Sequence, residues 1–388
     1  MTQTVTNGRP IVGIDAGALM LHKRAPGTAK FVREQTRELL STPVPWDWVV
    51  AVPQGYKHEF APGAGREIIE LEGRKYSLFA TVRVARLWKQ RRCLVGISPA
   101  GICALYKPVL CNYFDSTIFE YGKTWITSGE WARSYLLKWM AIDTFRRAER
   151  VFVNSSYCTE VLRNRFPDYR DKFRVNPVGI STAEPSSSEQ PSWANQSMEQ
   201  RGFILCSSAF SDNKNQRRLI EAYVMLQNTG REMLPLVLIG PCPPDYFATV
   251  IKLALAASPR PGNIIVPGYV SAGVLAWAFK HAKMVVQPSF AEGFSSFSVF
   301  QAMQGGVPVA CSNTTSHPEA VGSAALLFHP ESVPSISEAM ARLLDEDALR
   351  RRLIEAGMRR IRELTWSANA EQVCGEILNI MEERCGRV

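Results

Sequence analysis

Between residues 202 and 313 five short apolar runs alternate with stretches of helical period, and that alternation limits the fold more than any other feature. The runs are GFILCSS (202–208), LPLVLIG (234–240), NIIVPG (263–268), KMVVQPS (283–289) and VPVACSN (307–313), and each ends in small or turn-forming residues. Between them NQRRLIEAYVMLQ (215–227) and SAGVLAWAFKHA (271–282) place apolar residues at helical spacing. Strands covered on both faces read as continuous apolar runs, and parallel neighbours need a crossover, usually a helix. The pattern therefore predicts an α/β fold, a parallel sheet with helices on both faces.

The first half repeats this grammar. Strands are expected in PIVGIDA (10–16), DWVVAVP (47–53), CLVGIS (93–98), PVLCNYF (108–114) and RVFVNSS (150–156), with helices at 28–40, 78–91, 131–147 and 157–165. The stretch STAEPSSSEQPSWANQSMEQ (181–200) is polar and rich in Ser, Pro and Gln, as linkers are. A chain of 388 residues is long for one core. The expectation is two doubly wound, Rossmann-like domains, 1–180 and 201–365, joined by 181–200 and facing across a cleft. A C-terminal helix (366–388) is expected to pack back on the first domain. Ligands of such sheets bind outside the carboxyl ends of the strands.

No uninterrupted apolar run reaches the 18 residues of a transmembrane helix, and the start lacks a basic-then-apolar leader. Nine cysteines without a C-x-x-C pair suit a reducing compartment. The five histidines form no H-E-x-x-H, so no metal site is expected. Residues 1–180 hold 27 basic and 16 acidic side chains, a balance of +11; the remainder holds 18 and 20, a balance of −2. The basic half faces an anionic partner, or it is a solvated surface. SLFATVRVARLWKQRR (77–92), with Arg83, Arg86, Lys89, Arg91 and Arg92, reads either as a membrane-facing basic amphipathic helix or as a core helix. WARSYLLKWM (131–140) raises the same choice. No nucleic-acid reader motif accompanies the charge, so nucleic acid is not an expected partner.

The richest stretch for chemistry is SFAEGFSSFSVFQAMQGGVPVACSN (289–313). Glu292 falls just past an expected strand, and Gly293, Ser295 and Ser296 precede an expected helix. Free N–H groups at such a helix start suit a phosphate, although a plain strand-turn-helix connection uses the same residue types. SSAFSDNKNQRRLIEAY (207–223) offers a second such turn, with Lys214 opening a helix as a mobile charge for a phosphate or as a solvated side chain.

These segments carry a resemblance. GYVSAGVLAWAFKHAKMVVQPSFAEGF (268–294) and QAMQGGVPVACSNTTSHPEAVGSAALLFHPES (301–332) resemble the retaining glycosyltransferases of glycosyltransferase family 4, which have the GT-B fold. PGTAKFVREQTREL (26–39), RAERVFVNSSYCTEVL (147–162) and FRVNPVGI (173–180) resemble segments of its first domain. The resemblance implies a hexosyltransferase that takes a sugar, mannose favoured, from a nucleotide-sugar. GDP-mannose is the favoured donor and a UDP-sugar the alternative. The acceptor is a glycan or a lipid-diphosphate-linked saccharide in polysaccharide or glycoconjugate assembly.

By the same resemblance, Lys214 and the backbone of Gly293 and Phe294, with Ser295 and Ser296, hold the diphosphate. Tyr269 and Val270 lie near the base, Gly27 belongs to the glycine loop, and Glu292 touches the sugar ring. The family works without a metal or other cofactor, and its retention implies front-side attack. Location follows as cytoplasmic, peripheral on the inner face of the cytoplasmic membrane and touching its anionic surface. The chain departs from the family at three places. The second acid of the E-x7-E motif is Gln301, with one extra residue before it. The usual His-Asp pair is Phe114-Asp115, which leaves Asp115 as the catalytic candidate there. The Arg upstream of Lys214 is absent, with Ser208 and Ala209 in that region. These departures keep open a second reading, a non-catalytic GT-B protein that binds a glycan or a partner.

Overall fold

A computed structural model of the chain describes residues 8–21, 26–73, 79–101, 105–114, 116–120, 131–181, 188–294 and 297–385. The chain divides into two compact units, one of residues 1–181 with 364–388, the other of residues 182–363.

The first unit is built on seven parallel strands: β1 (Ile11–Asp15), β2 (Asp47–Pro53), β3 (Arg66–Leu71), β4 (Val95–Ser98), β5 (Val109–Tyr113), β6 (Arg150–Val153) and β7 (Phe173–Val175). Their order is β3-β2-β1-β4-β5-β6-β7, and every pairing is parallel. Helices α1 (Pro26–Ser41), α2 (Val84–Gln90), α3 (Trp131–Arg147) and α4 (Ser156–Arg165) make crossovers. Ser155 caps α4 by accepting the Cys158 N–H, as a serine ahead of a helix does.

Two glycines explain why α2 is a core helix. Gly13 on β1 and Gly96 on β4 are paired across the sheet. A Cβ at either would lie within 2.3 Å of the Trp88 indole. The bare strand surface thus receives the largest side chain of α2, and Trp88 is fully buried with Val84, Ala85 and Leu87. Arg91 is bound to Glu67 at 2.7 Å and Arg83 donates to the Glu72 carbonyl, whereas Arg86, Lys89 and Arg92 stay exposed. The expected basic face of 77–92 keeps four exposed cations, of which Arg83 is tied to the Glu72 carbonyl, and residues 74–78 lie outside the described ones.

The last helix, α9 (Trp366–Cys385), belongs to the first unit. Gly179 permits its approach: a Cβ there would meet Trp366 Cα at 2.5 Å. A buried amide chain ties it down. Asn112 donates to Gln35, Gln35 to Asn369, and Asn369 to Asn176, at 2.8, 2.8 and 3.0 Å. These side chains satisfy one another, as buried polar groups must.

The second unit has six parallel strands, β8 (Ile204–Ser207), β9 (Leu236–Ile239), β10 (Ile264–Gly268), β11 (Met284–Gln287), β12 (Val309–Ser312) and β13 (Ala325–Phe328), in the order β10-β9-β8-β11-β12-β13. Helices α5 (Gln216–Asn228), α6 (Ala272–His281) and α7 (Phe297–Gln304) follow β8, β10 and β11. The expected linker is shorter than the sequence suggests. Residues 188–200 pack on this unit: the Glu189 N–H donates to the Gly273 carbonyl, and Trp193 meets Phe203 and Trp277 edge-on. A tryptophan amid Ser and Gln gives a polar stretch an apolar anchor that composition averages away.

Candidate functional site

In the second sheet the order reverses between β8 and β11, with β9 and β10 to one side of β8 and β11, β12 and β13 to the other. Such a switch point is where an open α/β sheet leaves a crevice at its carboxyl edge. Three loops leave that edge side by side, after β8, β11 and β12, and their side chains lock together.

The β8 loop makes one turn of 3₁₀ helix (Asp212–Lys214) before α5 begins at Gln216, so Lys214 precedes the helix rather than opening it. Asn215 between them is left-handed, with φ +58°. Its buried amide donates to the carbonyls of Pro288 (3.1 Å) and Pro330 (2.8 Å). Asparagine tolerates this backbone region better than most residues. Asn213 grips the β11 loop next to it. It accepts the Phe290 N–H on its carbonyl (2.8 Å) and the Ala291 N–H on Oδ1 (3.1 Å), and donates to the Ala291 carbonyl (3.0 Å).

The β12 loop holds the other side of the same turn with three consecutive hydroxyls. Thr314 donates to the Phe290 carbonyl (2.8 Å), Thr315 accepts the Glu292 N–H (3.1 Å), and Ser316 donates to the Glu292 carbonyl (2.6 Å). Glu292 is thus fixed at its backbone from one side while its side chain turns to the other. There Lys214 Nζ lies 2.5 Å from Glu292 Oε1. The two side chains are 23 % and 11 % exposed, so the pair is poorly hydrated. Burial pushes the Glu292 carboxyl up, but the Lys214 charge and hydrogen bond, with His317 and a Ser289 hydrogen bond, outweigh it and hold the group below its ordinary value. It is a carboxylate at neutral pH.

His317 completes the cluster at the first position of the short helix α8 (His317–Val321). It is fully buried, and neither ring nitrogen has a hydrogen-bond partner among the described residues. Burial pushes it down to about 4, with Glu292 raising it and Lys214 lowering it, so the ring is neutral at neutral pH. His317, Asn213, Thr315 and Ser316 were not singled out by sequence reasoning. The run of small hydroxyls in NTTSHPE between strand and helix was the available signal, but hydroxyls are equally common in turns.

The other expected residues fall as follows. Gly293 is half-buried, and Phe294 is buried and stacked on Phe300 with centroids 5.5 Å apart. Gln301 is half-buried within α7, and Ser295 and Ser296 lie outside the described residues. Tyr269 is 82 % exposed and Val270 half-buried, on the turn after β10, two strands away from β8. In the first unit Gly27 is exposed in the first turn of α1 rather than in a loop, and Asp115 lies outside the described residues. Phe114 packs edge-on against Phe31 at 4.7 Å. Among the described residues no group of three or more His, Cys, Asp or Glu could hold a metal ion.

Comparison with known proteins agrees with this architecture. The fold is GT-B: the chain superposes on a sucrose-phosphate synthase from Thermosynechococcus elongatus with a TM-score of 0.69 at 17 % identity, over 97 % of this chain and 100 % of that one. It superposes on the Anabaena protein HepE in complex with UDP and glucose with a TM-score of 0.63 at 14 % identity, over 96 % and 100 %. The model of the group 1 glycosyl transferases matches residues 187–360, the segment that carries the Lys214–Glu292 cluster. An O-antigen chain mannosyltransferase B of Escherichia coli is 34 % identical over 166 residues, which is 43 % of this chain and 43 % of that one. The chain spans less than half the length of the curated relatives it matches.

Proposed function

We propose that the chain is a nucleotide-sugar-dependent hexosyltransferase. The observation that carries the reading is the Lys214–Glu292 pair at the switch point of the unit matched by the glycosyl transferase model. A sugar–diphosphate bond breaks with positive charge growing at the anomeric carbon and negative charge on the leaving phosphate. A lysine and a carboxylate on adjoining loops are the complementary charges. Lys214 takes the diphosphate, with the backbone at Gly293 and Phe294. Glu292 orients the sugar and stabilises the cationic centre.

The finer features belong to the same proposal. Mannose draws support from the name of the Escherichia coli relative and a UDP donor from the UDP bound to the Anabaena protein, while a GDP donor rests on the family 4 resemblance. Transfer with retention and without a metal rests on the family 4 resemblance. The acceptor is a glycan or a lipid-diphosphate-linked saccharide, and the chain works peripherally on an anionic membrane surface. Support for that surface comes from α3. Tyr135 (62 % exposed), Trp139 (61 %), Leu136 and Ile142 form an apolar stripe open to solvent, and Lys138, Arg146 and Arg147 share the helix with one acid, Asp143. An apolar stripe in a basic setting matches an anionic bilayer. Among the described residues no helix is long and apolar enough to cross a membrane.

Thermal melting with GDP, UDP, GDP-mannose and UDP-hexoses, followed by a transfer assay on the stabilising donor, tests the reading. Ligand at 100 times its dissociation constant adds about 2.7 kcal/mol and raises the melting point. No shift with any nucleotide would exclude donor binding, and a shift without transfer would favour the non-catalytic reading to which Gln301 points.

A further inference from the structure

His317 is out of keeping with its surroundings. The two residues before it hold the Glu292 backbone, and its own side chain is fully buried with both nitrogens unpartnered among the described residues. Native interiors keep few such groups, and a side chain that only filled space there would be apolar. The Glu292 field favours the ring's protonated form and the Lys214 field opposes it.

The proposed function, on which this inference rests, gives Lys214 and Glu292 separate tasks, one on the diphosphate and one on the sugar. At 2.5 Å they are engaged with each other instead. When Lys214 turns to the diphosphate, a carboxylate only 11 % exposed loses its cation. The Ser289 hydroxyl still donates to it, but a buried charge without its cation is strongly unfavourable, so a further donor must reach it. A neutral imidazole carries one N–H to give, and the structure leaves that of His317 uncommitted.

We propose that His317 is a positioning residue for Glu292: its N–H takes over the carboxylate when Lys214 engages the donor's diphosphate. Glu292 then stays ionised and aimed at the sugar through the transfer, while the vacated lysine serves the leaving group. The ring touches neither sugar nor phosphate, so its effect falls on turnover rather than on donor binding.

The test compares His317→Leu, which fills the space without a donor, with His317→Gln, which restores an N–H. Melting of the donor-free proteins, calorimetry with the nucleoside diphosphate, and steady-state transfer from the donor identified for the parent are measured on all three. The expected result has four parts. His317→Leu melts at or above the parent and binds the diphosphate within about 3-fold of it. Its KM for the donor is similarly kept, and its kcat falls by about 10- to 100-fold. His317→Gln recovers most of that kcat. A parental kcat in His317→Leu overturns the proposal. So does a Leu variant that melts lower and loses diphosphate affinity and kcat together without recovery by Gln, which marks a core residue. A parent that binds and transfers no sugar nucleotide overturns the functional reading itself, and this inference with it.

Discussion

Lys214 and Glu292, 78 residues apart in sequence, meet at 2.5 Å on the loops that follow β8 and β11. Each is the nearest countercharge of the other in a poorly hydrated spot, and the proposed function gives each a role toward a different part of the donor. Free protein and donor complex must therefore differ in how this pair is made. That difference gives the site residues distinguishable mutant behaviour.

Glu292→Ala should lower transfer by about 100-fold or more, because in the proposed function Glu292 acts on the developing positive charge. Affinity for the nucleoside diphosphate should hold or rise, since Lys214 is no longer shared. Calorimetry and single-turnover transfer on one preparation check both. Turnover equal to the parent would remove Glu292 from the chemistry.

Lys214→Ala should weaken the nucleoside diphosphate far more than the nucleoside, and should also destabilise the free protein. A largely buried Glu292 carboxylate left with neutral hydrogen-bond donors in place of its cation costs about 3 kcal/mol, and the double variant Lys214→Ala/Glu292→Gln should regain much of that. Urea unfolding of the three proteins decides. A double variant no more stable than Lys214→Ala would show that the stability loss comes from packing.

Asn215 combines a left-handed backbone with two buried hydrogen bonds to carbonyls. Asn215→Gly keeps the backbone region and loses the bonds, whereas Asn215→Ala loses both. The alanine variant should be the less stable by about 1 kcal/mol, and both should unfold more readily than the parent. Equal midpoints for Gly and Ala would mean that the backbone is not strained there.

Asp15, at the end of β1, is fully buried; its Oδ1 accepts the Gly17 N–H and its Oδ2 has no partner among the described residues. Burial raises its pKa from 3.8 to about 7, against the smaller pull of the Gly17 hydrogen bond. The folded state therefore binds the proton more tightly. That contribution is complete below pH 3.8 and is lost as the pH climbs to about 7. Asp15→Asn can still accept from Gly17 and carries no charge, so it should melt a few degrees above the parent at pH 8, with the gap closing toward pH 4. Parallel melting curves across that range would place Asp15 in a more polar setting than its burial indicates.

Replacing Tyr135, Trp139 and Ile142 with Ser should release the protein from anionic vesicles at low salt. Replacing Arg86, Lys89 and Arg92 should matter less, because α2 carries no apolar stripe on its open side. Each basic residue near such a surface contributes about 1 kcal/mol, screened by salt, while the aromatic contribution is not screened. Co-sedimentation with vesicles at two salt concentrations reads both. If the α3 variant sediments like the parent, that stripe faces something other than lipid.

The two-unit α/β plan was legible in the sequence because strands buried on both faces must be apolar throughout and parallel neighbours must be joined by crossovers. Five strands in each unit announce themselves that way. The three that do not are edge strands. REIIEL of β3 keeps Arg66, Glu67 and Glu70 because one side meets water, FRV of β7 is three residues long, and ALLF of β13 has one neighbour. Lys214 and Glu292 stood out singly as polar residues at strand ends. Their pairing did not, because strand order across the switch point decides which loops become neighbours. The same limit separates α2 from α3. Both read as basic amphipathic segments, since local period shows which residues share a face and not what covers it. Two paired glycines on β1 and β4 seat Trp88 and bury the apolar side of α2. Among the described residues no such cover reaches Trp139, so the exposed helix was settled by packing between residues far apart in the chain.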